Sequence, residues 1–227
     1  MTAIFITATG TDVGKTFVAA ALIRHLRQIG RAVDVIKPVV SGYDPAQPGP
    51  SDPGMLLNAL GLPVTPEAID RISPWRFRAA LSPDLAAQLE GRTVDVDKVI
   101  AFCQNAIEQR RDTLLVEGIG GIMVPLDRRR TLLDVMTALR LPLILVAGSY
   151  LGSLSHTLTA LDALFRRNLE VLAIVVSETP GSTVPLDATV ATIGRFAEPV
   201  IALPRGDHSA AAAFDRIFNR RDDREPP

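Results

Sequence analysis

The chain of 227 residues sets 24 lysines and arginines against 25 aspartates and glutamates, a formal net charge of −1, so no overall positive field draws it to nucleic acid or anionic lipid. Its length suits one large α/β domain, and its single cysteine, Cys103, excludes an internal disulfide and a multi-cysteine metal site. No apolar run reaches membrane-spanning length, and the chain opens without a basic segment and apolar signal core; the expectation is a cytoplasmic protein with small-molecule partners, neither nucleic acid nor membrane among them.

Residues 4–7 read as a buried strand that runs through Thr9-Gly10-Thr11-Asp12-Val13 and closes on Gly14-Lys15-Thr16. In a phosphate-binding loop the backbone N–H groups curl around the β-phosphate, a lysine reaches the β and γ oxygens, and a Ser or Thr hydroxyl ligates magnesium. A helix expected over 16–29 points its positive N-terminal dipole at the same phosphates. Ala8 stands where the first glycine of such a loop usually lies, and Gly10 is expected to supply flexible backbone upstream of Gly14 instead.

A second strand, 32–36, delivers Lys37 to the same carboxyl edge of the sheet. A lysine at a strand end is often merely solvated; here Pro38 fixes the exit direction and Ser41-Gly42 follow, the makings of an anion site. Residues 43–53 carry several prolines and read as a surface loop. Asp52 within it is either the cap of a turn or helix, as Ser51-Asp52-Pro53 suggests, or an acid that completes a metal site.

A helix over 95–109 holds Cys103 as a small buried hydrophobe, and a strand over 113–116 places Glu117 at the sheet edge ahead of Gly118-Ile119-Gly120-Gly121. Magnesium takes oxygen ligands and only one or two carboxylates, so Thr16 and Glu117 leave room for Asp52. Arg128-Arg129-Arg130 reads as a solvated loop before a helix over 132–139 and a strand over 143–146. Gly152-Ser153-Leu154-Ser155 open a helix over 154–167, either as a plain cap or as a second set of free N–H groups suited to a carboxylate. His156 near this helix start reads either as a ligand or, as is commoner, as a hydrogen-bonded structural histidine, and His25 and His208 show no partner pattern. A strand over 172–176, a helix over 187–196, a strand over 200–203 and a helix over 209–218 follow, then a charged, proline-ended tail over 219–227 that reads as frayed. The alternation implies one domain, 1–218, a doubly wound, mostly parallel sheet flanked by helices and of the P-loop NTPase type.

Together these motifs resemble the dethiobiotin synthetase family, whose members close a ureido ring on 7,8-diaminopelargonate in biotin biosynthesis, and the likeness spans nearly the whole chain. It rests on Thr11-Asp12-Val13-Gly14-Lys15-Thr16, on Lys37-Pro38-Val39 with Ser41-Gly42, on Ser51-Asp52, and on Val116-Glu117-Gly118 with Gly120-Gly121. Weaker support comes from Trp75, Phe77, Ser82-Pro83 and Glu90-Gly91, and from Leu151-Gly152 with His156.

The resemblance implies that one substrate amine takes up carbon dioxide, supplied as bicarbonate, to give a carbamate. ATP then phosphorylates it to a carbamic-phosphoric anhydride, and the second amine closes the ring, releasing phosphate beside ADP. It implies Lys37, Lys15, Thr11 and Ser41 as the catalytic groups and Mg2+ held by Thr16, Asp52 and Glu117. The nucleotide would lie against Asp12, Val13, Gly14, Lys15, Thr16 and Phe17, with Asp52, Glu117, Gly118, Ile119 and Gly120. Its base would meet Ser177, Glu178, Pro204, Arg205 and Gly206. Lys37 and Ser41 would hold the diamine, and Gly152, Ser153, Leu154 and Ser155 of a second subunit would receive its carboxylate, which makes the expected assembly a homodimer.

Some positions depart from the family pattern. Ser177-Glu178 stand where many relatives have Asn-Asp beside the adenine, so looser discrimination among bases is expected. Asp12 replaces a common glutamate, Asp84 a histidine and Tyr150 a lysine. Two rival readings share the loop type. A cobyrinic-acid-type amidoligase needs an ammonia source, and a glutaminase portion with a nucleophilic cysteine is not expected here. A nucleotide switch resembling the chromosome-partitioning and septum-positioning ATPases carries a second lysine near its first glycine, and no lysine precedes Lys15.

Overall fold

Strands that are apolar at almost every position have no face to give to water, so helices must cover both sides of the sheet they build. The computed structural model, which describes residues 2–205 together with Phe214 and Asp215, has that arrangement. In chain order its elements are β1 (Thr2–Ala8), α1 (Lys15–Gln28), β2 (Val33–Ile36), β3 (Val39–Val40), α2 (Asp52–Leu60), α3 (Pro66–Ile72), β4 (Trp75–Arg76) and α4 (Pro83–Leu89). There follow α5 (Val96–Gln109), β5 (Thr113–Glu117), α6 (Leu132–Leu139), β6 (Leu143–Gly148), α7 (Ser153–Arg166), β7 (Val171–Ser177), α8 (Leu186–Ile193) and β8 (Val200–Leu203).

The main sheet runs β2-β5-β1-β6-β7-β8 with every neighbouring pair parallel. Strand alternation feeds two cores. Ala3 and Phe5 of β1 join Cys103, Leu133 and Leu161 of α5, α6 and α7 on one face, while Ile4 and Ile6 join Val18, Leu22 and Leu26 of α1 on the other. Each fully buried leucine or isoleucine stabilises the layers by about 1.5–3 kcal/mol. Because β2 and β5 lie on one side of β1 and β6 to β8 on the other, the chain changes direction at β1. Such a switch point opens a crevice at the carboxyl ends of the strands, where ligands bind.

The sequence pattern assigns no helix between 53 and 94, and the structure has three there, α2, α3 and α4, of nine, seven and seven residues. Each carries a proline in its first turn, where the missing N–H costs nothing, behind Ser51, Thr65 or Ser82 as cap. Ser51 Oγ accepts from the Gly54 N–H at 3.3 Å and Thr65 Oγ1 from the Ala68 N–H at 3.2 Å. The loop expected over 43–53 therefore ends early, because Asp52 already belongs to α2. The two short strands β3 and β4, also unforeseen, pair Val39 with Trp75 and Val40 with Arg76.

Smaller corrections follow the same logic. α8 stops at Ile193, where Gly194 caps it, rather than at Phe196. Arg130 is not simply solvated: it bridges Asp97 at 2.6 Å and Asp127 at 2.9 Å. His25 does have a partner, since its Nε2 shares a hydrogen bond of 2.9 Å with Asp215 Oδ1 and its ring lies 6.0 Å from that of Phe214. Gly206, His208 and the tail over 219–227 lie outside the described residues, as does the helix expected over 209–218 apart from Phe214 and Asp215.

Candidate active site

β1 ends at Ala8 and the chain turns through the loop to Gly14, the N-cap of α1, whose φ of 93° only glycine adopts without strain. A Cβ at Gly14 would also lie 2.6 Å from Ser177 Oγ. The second left-handed residue of the loop is Asp12, with φ 58°. Gly10 is not left-handed and its missing Cβ faces open space, which corrects the expectation that it supplies the special backbone. The turn is instead carried by Asp12 and Gly14. From the other side the glycine run after β5 closes in: a Cβ on Gly121 would stand 3.2 Å from Thr9 O and from Gly10 Cα.

Behind this loop, charge is concentrated and paired. Lys37 follows β2, is 2% exposed, and places Nζ 2.5 Å from Glu117 Oε1, 3.0 Å from Asp52 Oδ2 and 3.3 Å from the Gly118 carbonyl oxygen. Thr16 Oγ1, in the first turn of α1, donates to the same Glu117 Oε1 at 2.7 Å. Burial alone would lower the Lys37 pKa, but Glu117 and Asp52 outweigh it and hold the ammonium above its ordinary value. Asp52 feels the converse: desolvation works to raise its pKa, and Lys37, with a hydrogen bond from Thr16, holds it below the usual range. Lys15, the first residue of α1, has no such carboxylate contact; burial first and the Lys37 charge second push it down to about 8.

Lys15, Thr16, Lys37 and Asp52 share one cavity of about 620 Å3, which Thr11, Asp12, Gly14, Phe17, Ser41, Ile119, Gly120 and Arg205 also border, while Glu117 lies fully buried behind it. Val13, by contrast, points into the core beneath α1. Gly118 contributes its carbonyl to Lys37, and a Cβ there would meet Leu132 at 2.7 Å and Phe5 at 3.0 Å. Magnesium can be tested against this donor set. Thr16, Asp52 and Glu117 offer hard oxygen atoms, and Glu117 Oε2 is buried without a hydrogen-bond partner. No group of three or more His, Cys, Asp or Glu side chains converges among the described residues, so the chain supplies two acids and phosphate oxygens and water would complete the shell. The residues fit a magnesium ion.

The remaining expected residues lie apart from this centre. Ser177 ends β7, buried to 2% exposure against Gly14, and Glu178 anchors Arg205 by accepting from its backbone N–H at 2.8 Å and from its Nε at 3.2 Å. Neither Ser177, Glu178 nor Pro204 borders the large cavity, whereas Arg205 does. Gly152, Ser153, Leu154 and Ser155 do not border it either. Gly152 caps α7 with φ 98°, Ser153 Oγ is buried without a partner, and Leu151 beside them is 92% exposed. His156, one turn on, meets Tyr150 Oη through Nδ1 at 2.9 Å, on an open hollow of about 440 Å3 behind the phosphate loop.

Sequence reasoning missed Met55, Ala80, Leu81, Ser82, Pro83 and Val124 as cavity residues. The small sheet brings the 80–83 stretch there, since Gly42 donates to Ala79 O at 3.0 Å and Tyr43 to Phe77 O at 2.9 Å. The Ser82-Pro83 helix start was the available signal.

The AAA domain family matches residues 2–204. The ATP-dependent dethiobiotin synthetase of Caulobacter sp. strain K31 is 49% identical, over 94% of this chain and 93% of that protein. That of Methylobacterium nodulans is 44% identical, over 96% of this chain and 99% of that protein. Among solved structures, the MinC:MinD cell division complex of Aquifex aeolicus aligns over 100% of this chain and 98% of that chain with a TM-score of 0.56 at 14% identity. The septum site-determining protein MinD of Pyrococcus horikoshii, complexed with Mg-ADP, gives 0.56 at 15% identity, over 97% and 96% of the two chains. At that identity the structural likeness concerns the P-loop NTPase fold alone.

Proposed function

The chain belongs to the ATP-dependent dethiobiotin synthetase family, an ATP-dependent ligase of biotin biosynthesis, and from that premise we propose that it acts on 7,8-diaminopelargonate, carbon dioxide and ATP through a carbamate and a carbamic-phosphoric anhydride. One observation carries this reading: Lys15, Lys37, Thr16 and Asp52 border a single cavity at the switch point of the sheet, with Glu117 buried behind them against Lys37 and Thr16.

Transfer of a phosphoryl group to a carbamate brings two anions together, so the main task of the protein is positioning and charge stabilisation. Lys15, reaching from the start of α1, holds the β and γ oxygens, and a bound triphosphate returns its depressed pKa toward the charged form. Lys37 neutralises the carbamate oxygen as it attacks the γ-phosphorus. Ser41 and Thr11 orient the amine that carries the carbamate. The second amine, already on the same molecule, then attacks the carbonyl carbon; the C–N bond forms, the C–O bond to phosphate breaks, and the amine proton leaves. Thr16, Asp52 and Glu117 would hold magnesium, which would supply charge neutralisation for the phosphate groups when bound.

The helix start at Gly152 to Ser155 lies outside the cavity of its own chain, and this supports a homodimer in which each α7 receives the carboxylate of the substrate on its partner. Incubating purified protein with the diamine, bicarbonate, magnesium and ATP is expected to yield dethiobiotin by mass, with one ADP per ring. ATP hydrolysis without ring formation would overturn the reading.

A further inference from the structure

The cavity has a second character beyond its charged end. Asp52 and Met55 stand three residues apart on α2 and so share a face, with Met55 about 4.5 Å further along the helix axis. One helical turn beyond the acid that holds Lys37, the lining therefore becomes apolar. Leu81, just before the Ser82 cap of α4, and Val124, from the loop after β5, border the same space. Met55 and Leu81 are 36% and 46% exposed, large apolar side chains turned toward an opening instead of a core. A triphosphate offers nothing to cover such a surface. The proposed diamine does, because between its reacting amines and its carboxylate it is plain hydrocarbon.

We propose that Met55, Leu81 and Val124 form the wall that receives the methylene chain of the diamine and so set the chain length the enzyme accepts. The proposal rests on the diamine being the substrate. An unbranched thioether and a leucine suit this task, since both adapt to a flexible chain without demanding one fixed shape. A methylene fully covered by such a wall contributes about 0.8 kcal/mol, which is about fourfold in affinity.

The test uses 7,8-diaminopelargonate and two analogues shortened by one and two methylenes between the diamine and the carboxylate. Binding is read by calorimetry and turnover by dethiobiotin-type product, for the wild type, Met55→Ala, Leu81→Ala, the conservative Met55→Leu, and Leu89→Ala. Leu89 is 70% exposed and does not border the cavity, so it controls for loss of an ordinary surface leucine. In the wild type, Met55→Leu and Leu89→Ala each methylene removed is expected to weaken binding about fourfold. In Met55→Ala and Leu81→Ala the step is expected to shrink below about twofold while the KM for ATP holds. Steps of equal size in the wild type and both alanine variants would overturn the wall, as would a wild type indifferent to chain length. Graded calorimetric steps without any ring product would instead overturn the reaction and leave the wall standing.

Discussion

At the carboxyl ends of β2 and β5 the buried charge of Lys37 is paired within the chain, whereas at the start of α7 a buried hydroxyl is not. Lys37 alone has three oxygen neighbours, in Glu117, Asp52 and the Gly118 carbonyl. Ser153 Oγ has none, although it is just as buried, and Leu151 next to it is 92% exposed. The first region is organised before any ligand arrives; the second holds an unpartnered buried hydroxyl beside an exposed leucine. Under the proposed reaction phosphate chemistry would be complete in one subunit and carboxylate recognition would need another.

The sharpest check on the closed region is chemical access. Cys103 and Glu117 border the same small internal void, and burial pushes the Cys103 thiol up to about 12 from its ordinary 9.0. Its alkylation in the native protein is expected to be at least about a thousandfold slower than after denaturant unfolding, since the thiolate is the nucleophile. Native labelling at the unfolded rate would show that this region is open.

Next in size is Lys37→Ala, expected to lower kcat by about 10²–10³-fold while nucleotide affinity, read by calorimetry, changes only a few-fold. Removing the ammonium leaves Glu117 buried with Thr16 as its donor but without a counter-charge, so thermal unfolding is measured alongside; unchanged turnover would remove Lys37 from the chemistry.

Leu151→Asp probes the open region. If a second copy covers α7, the charge is expected to split the dimer in sedimentation and raise the KM for the diamine about tenfold, with ATP affinity intact. Unaltered mass and KM would erase the contrast between the two regions. The smallest effect concerns the base. With Ser177 taken up against Gly14, turnover with GTP or CTP is expected within about threefold of that with ATP, and strict ATP preference would show that another group reads adenine.

Lys15, Thr16, Lys37 and Glu117 were legible in the sequence because each stands where a strand or helix begins or ends, and a parallel sheet sends all strand ends to one edge. Asp52 was misplaced as structure, read inside a loop when it opens α2. Helices of seven to nine residues are too short for a hydrophobic period to declare itself, so only their Ser/Thr-Pro starts betray them. The apolar cavity residues Met55 and Leu81 vanished with those helices. The His25–Asp215 contact spans 190 positions, and no local pattern encodes such a distance. Gly10 misled because glycine content was taken for glycine geometry, when the left-handed turn had passed to Asp12.

The grip of Asp52 and Glu117 on Lys37 has a consequence for what the resting protein admits. With Lys15 and Arg205 as further cations and Asp12 as a further acid, the site is electroneutral, three positive groups against three negative ones. A naked triphosphate would enter with nothing left over to balance it. Under the proposed reaction a nucleotide that carries its own counter-ion would arrive with its charge mostly matched, and Asp52 and Glu117, in holding that counter-ion, would loosen their hold on Lys37.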